Sequence, residues 1–106
     1  MSVVDDFYRG EIQKYVRHYF KLHGQDVDAV TSGCLAGMGL AMIQSQGQPL
    51  NTSSFIYVAS FLVPAFIFDD HMFHDQVVAG VDQCKAGVAP AAIKPKGNAG
   101  NLKQIH

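Results

Sequence analysis

Three aspartates and two histidines fall within one seven-residue run, Asp69-Asp70-His71-Met72-Phe73-His74-Asp75. On a helix, His71 and His74 are i,i+3 neighbours, while Asp70–His74 and His71–Asp75 are i,i+4 pairs. Two imidazoles and two carboxylates then lie within reach of one another, a ligand set that divalent transition metals accept. A closed zinc site needs about four protein ligands, however, and a catalytic one about three plus water. One chain offers this cluster once and a symmetric dimer offers it twice, so a metal on a two-fold axis is the sharpest form of the idea. The plainer reading is a polar helix start, with aspartates as caps and histidines at the surface. We prefer it: no metal ligand, cofactor or catalytic residue is assigned, and His71 and His74 are expected not to hold a structural metal.

Other routes to chemistry are weaker. His18 and His23 lie five apart and share no helical face. The chain has no G-x-x-x-x-G-K, G-x-S-x-G, C-x-x-C or H-E-x-x-H pattern. A Cys34/His arrangement for nucleophilic catalysis is conceivable, but a cysteine set among Ala, Gly and Leu is more often a small buried hydrophobe. The rings of Phe7, Tyr8, Tyr15, Tyr19 and Phe20 could stack on bases, yet they follow the apolar stripe of a helix and read as core. No nucleic-acid partner is expected, because the body of the chain is acidic. Enzymatic activity is the less favoured reading.

The elements that would position these residues are helices. In the first segment, Val4, Phe7, Tyr8, Ile12, Tyr15, Val16, Tyr19, Phe20 and Leu22 recur at three- and four-residue spacing, opposite a charged face. A helix over about 4–23 follows, opened by Asp5 and Asp6 and stopped by Gly24. A second helix, about 26–46, takes Asp26 as its N-cap. It carries Gly33, Gly37 and Gly39, each costing about 1 kcal/mol relative to Ala. Gly33 and Gly37 form a G-x-x-x-G pair that permits close helix packing. After a loop containing Gly47 and Pro49, the nearly unbroken apolar run Phe55 to Phe68 predicts a third helix, about 52–68. A buried strand over 55–63 is the alternative, disfavoured because no second strand exists to pair with it. Pro64 should kink or break this helix. A fourth, about 69–86, is expected to start at Asp69–Asp70 and to present Phe73, Val77, Val81 and Cys84 on one face. The class is thus all-α, a small bundle of about four helices in a 1–88 domain, with residues 89–106 as an extended or flexible basic tail.

Charge follows the same division. Residues 1–82 hold four Lys or Arg and nine acids, whereas residues 83–106 hold four Lys (Lys85, Lys94, Lys96, Lys103) and no acid. A basic tail on an acidic body could reach an anionic partner, though a solvated tail is the plainer reading. Charged residues make up only 16% of the chain and hydrophobic ones 48%, which excludes wholesale disorder. The N-terminus lacks the pattern of a secretion signal, so a cytoplasmic chain with reduced thiols is expected. The same expectation follows from geometry. If the second and third helices form a hairpin turning near Pro49, Cys34 lies opposite about residue 64. Cys84 is then about 30 Å further along a straight helix, and only a fold-back near Pro64 or Asp69 would bring the two together. Two free thiols are expected.

From Ala29 through Phe68 there are forty residues without Asp, Glu, Lys, Arg or His. That stretch supports two readings. The first is a small helical protein–protein interaction protein (an adaptor, inhibitor or accessory subunit), homo-oligomeric through a face carrying Leu35, Met38 and Met42 beside Gly39. The second is a membrane-embedded hairpin with both termini cytoplasmic, since Lys and Arg lie only on its flanks. A spanning helix needs about 20 apolar residues, however, and neither run supplies them. A metal-binding protein or enzyme built on Asp70, His71, His74 and Asp75 is the third reading, behind these two.

Overall fold

The computed structural model of this chain describes residues 3–87. They form four α-helices and no strand: α1 (Val3–Leu22), α2 (Ala29–Ser45), α3 (Thr52–Ile67) and α4 (His74–Lys85). The all-α class expected from the sequence is the one observed. The strand alternative is not, since 55–63 lies within α3. Lys94, Lys96, Lys103 and the whole of the 89–106 tail lie outside the described residues.

The helix ends have local causes. Gly24 takes the left-handed conformation (φ 69°), and the N–H groups of Gly24 and Gln25 donate to the carbonyls of Lys21 and Phe20. This is the reciprocal closure that satisfies the last carbonyls of a helix. α2 starts at Ala29 rather than near Asp26, because the capping residue is Asp28. Its extended backbone lets the carboxylate accept the Thr31 N–H at 3.0 Å. Hydrogen bonds from Thr31, its side chain first and its backbone N–H second, hold the Asp28 carboxyl below the usual carboxylate range. Asn51 does the same for α3, accepting from Ser54 N–H at 3.1 Å. Pro64 does not break α3, which runs through it and ends at Ile67.

The fourth helix departs most from expectation. It begins at His74, and residues 68–73 are turn rather than first helical turn. Phe68 leaves the helix in an extended conformation (φ −98°, ψ 117°). The chain then reverses through hydrogen bonds from His71 N–H to Phe68 O and from His74 N–H to His71 O. What fixes the reversal is tertiary: the rings of Phe61, His71 and Phe73 gather against one another at centroid distances of 5.4–6.1 Å. Local helix-start signals at Asp69–Asp70 do not prevail over that cluster.

α2 and α3 touch each other, and both are touched by α1 and by α4, while α1 and α4 do not meet among the described residues. The two uncharged helices are thus flanked by two amphipathic ones. α1 supplies Ile12, Val16 and Phe20 to the core, and α4 supplies Val77 and Val81. Rings of Tyr8 and Tyr15 pack on Phe55 and that of Phe20 on Phe66, so α1 and α3 run side by side in the same direction. This flanking explains the absence of charge on the faces of α2 and α3 that are buried. No described helix is long and apolar enough to cross a membrane. Leu35, Met38 and Met42, expected to face a neighbouring subunit, are buried inside the single chain. α1 and α4 cover what the sequence left to a second copy.

Close approach of α2 to its neighbours occurs at Gly39 and not at Gly33. A Cβ on Gly39 would stand 2.9 Å from Val58 Cγ2 of α3 and 3.4 Å from Ile12 Cγ2 of α1, whereas one on Gly33 would meet only Gln13 Nε2 at 3.8 Å. The α1–α2 seam also holds a polar link. Gln13 Nε2 donates to Ser32 Oγ at 2.8 Å and to Ala29 O at 3.2 Å. Ser32 is fully buried, so its hydroxyl needs these partners. Gln13→Ala should cost on the order of 1 kcal/mol, read as a shift in the urea midpoint at constant slope.

Candidate functional site

The histidine–aspartate run does not form a ligand cluster. Because 69–73 is a turn, the helical pairs Asp70–His74 and His71–Asp75 do not exist as such. The histidines are instead turned inward to structural tasks. His71 Nδ1 accepts the N–H of Phe73 at 3.0 Å, closing the turn. His74 Nδ1 lies 2.9 Å from Ala65 O. A carbonyl only accepts, so His74 carries its proton on Nδ1 in this contact. Ala65 O belongs to the last turn of α3, where carbonyls lack an intrahelical partner, and His74 satisfies it. Asp69 and Asp70 are exposed. Among the described residues no three of His, Cys, Asp and Glu are placed to hold a metal ion. His18 and His23 remain apart, each edge-on to its own aromatic ring, Tyr19 and Phe68 respectively.

The cysteines overturn the expectation of free thiols. Cys34 of α2 and Cys84 of α4 form a disulfide, with Cα atoms 5.9 Å apart. Such a separation is ordinary for a bridge. The fold-back that the geometric argument required lies at 68–73, and it lays α4 against α2. One helical turn along, a Cβ on Gly80 would stand 2.7 Å from Met38 Cε. The pairs 34/84 and 38/80 thus share one register. Spacing alone carried no sign of it, because the bridge depends on where the chain reverses. Cys34 is not a candidate nucleophile in this state.

What remains exposed and apolar is the outer face of α3. Ile56, Tyr57, Ser60 and Pro64 recur at helical spacing, with Phe68 just past the helix end, and none is fully covered. Tyr57 is 59% exposed and Phe68 43%. There is no charge anywhere on α3. Beside this face, at the α2–α3 turn, lies a cavity of about 360 Å³ whose walls include Gln46, Gln48, Ser53, Ser54 and Tyr57. Its amides and hydroxyls can exchange hydrogen bonds in either direction, and it presents no fixed charge. At the first turn of α1, Phe7 is also largely exposed and stands edge-on to Tyr8. The arrangement is suited to recognition by apolar contact with a rim of neutral polar groups.

Compared with known proteins, the chain matches no family model, no curated protein and no solved structure.

Proposed function

We propose that this chain is a small protein–protein interaction module, an adaptor, inhibitor or accessory subunit, that self-associates through the outer face of α3. The observation that carries this reading is the uncharged, partly apolar stripe Ile56–Tyr57–Ser60–Pro64, continued by Phe68, which the other helices leave partly exposed. A surface helix ordinarily presents charge on its outer face. An apolar outer face loses unfavourable contact with water when a second copy covers it, at roughly 25 cal/mol per Å². Two-fold pairing is the commonest way for identical chains to do so. A cytoplasmic setting, expected from the sequence, is compatible with the Cys34–Cys84 bridge where that bond is made and broken in use, since stable disulfides are rare among cytosolic proteins.

Light scattering coupled to size exclusion tests the reading. A dimer or higher species is expected for the natural chain, and Tyr57→Lys should shift it to monomer without changing the far-ultraviolet circular dichroism. A natural chain that stays monomeric at all concentrations would exclude self-association through this face.

A further inference from the structure

We infer that the Cys34–Cys84 bond is a redox-operated latch that holds α4 on the rest of the bundle, separate in kind from the α3 face. α1, α2 and α3 each touch the other two, so together they make a closed three-helix core. α4 lies outside that triangle. It touches α2 and α3 alone, fully buries only Val77 and Val81, and follows a hinge of turns at 68–73. The noncovalent hold at its start is Phe73 packing and the His74–Ala65 hydrogen bond. Near its end the hold is covalent, one residue before the helix stops at Lys85. An element with few buried contacts and one terminal fastening is the element expected to open first once the fastening is cut.

The two sulfurs are not equivalent. Cys34 is 5% exposed, whereas Cys84 is only partly buried, so an incoming thiolate reaches Cys84 first. A dithiol reductant supplies the chemistry. Its thiolate attacks Cys84 Sγ, the bond to Cys34 breaks, and Cys34 leaves as a thiolate that takes a proton from solvent. The second thiol of the reductant then attacks the mixed disulfide, its proton passing to Cys84 as that residue departs as a thiol. Two electrons and two protons pass to the pair, and the reductant leaves as a disulfide. With the latch open, α4 can swing about 68–73 and uncover the α2 surface around Met38, which Gly80 covers in the closed form. A disulfide oxidant closes it again, taking the two electrons and two protons and leaving as two thiols.

Hydrogen exchange read by mass spectrometry tests this on the full chain, oxidised with glutathione disulfide and then reduced with dithiothreitol. Reduction should speed exchange of the amides of residues 74–85 at least about tenfold more than it speeds that of α1 and α3, whose protection falls only with the loss of global stability. Protection should return on reoxidation. Cys84→Ser should show the fast pattern without reductant and be indifferent to dithiothreitol. The inference is overturned if the oxidised chain contains no bridge, or if α4 keeps its protection after reduction or in Cys84→Ser. It is equally overturned if reduction speeds exchange in all four helices to the same extent, or if Cys84→Ser does not fold, because the bond would then hold the whole domain rather than α4.

Discussion

Reducing the Cys34–Cys84 bridge is expected to lower the free energy of unfolding by about 4 kcal/mol. The two residues are 50 apart in sequence, and closing a loop of that size removes unfolded-chain entropy worth about 4 kcal/mol at 25 °C. Domains of this length have only about 5–15 kcal/mol in total. The reduced chain should therefore remain folded at 25 °C, with a markedly lower urea midpoint. The comparison is a pair of urea titrations, with and without dithiothreitol, followed by circular dichroism. The same shift should appear in the Cys34→Ala/Cys84→Ala double variant, which separates loss of the bond from any other action of the reductant. A loss below about 1 kcal/mol would mean that the bridge constrains little that the helices do not already constrain.

Two alanine substitutions in the same helix should differ in their effect on stability. Gly33→Ala is expected to stabilise by up to about 1 kcal/mol, the helix-propensity difference, because its new methyl meets only the Gln13 side chain at ordinary contact distance. Gly39→Ala gains the same propensity but places a methyl 2.9 Å from Val58 Cγ2 and 3.3 Å from Val58 Cβ. Val58 is itself buried and β-branched, so it has no free rotamer to retreat into. Either α2 moves off α3 or Val58 is strained, and overpacking of this kind costs about 1–3 kcal/mol. Gly39→Ala should thus be neutral to destabilising by about 2 kcal/mol, and Gly39→Val clearly worse. Thermal and urea unfolding of the three variants would decide it. Equal stabilisation by Gly33→Ala and Gly39→Ala would show that the α2–α3 seam is looser than it stands here.

The first three helices were largely legible from the residues. α1 follows its apolar stripe and stops where Gly24 takes a left-handed turn. α3 follows an apolar run too long for a strand with nothing to pair against. These are decisions made within a few residues, by side-chain periodicity and backbone conformational cost, and a sequence displays them directly. Even the choice between Asp26 and Asp28 as the cap of α2 was missed by only two residues.

What the sequence could not decide is where the chain turns back after α3 and what then meets what. The aspartates at 69–70 signal a helix start. The rings of Phe61, His71 and Phe73 nevertheless hold a turn there, because burial of three rings across elements outweighs a local preference worth tenths of a kcal/mol. That one reversal carries most of the consequences. It separates the residues of the histidine–aspartate run, lends His74 to the end of α3, and brings Cys84 onto Cys34. It also lays α4 over the face of Met38, a face that the uncharged stretch by itself offers to another subunit. Composition and periodicity determined that this chain is a bundle of helices with an uncharged centre. Only the packing of distant residues against one another decided which apolar face stays in water and which two sulfurs touch.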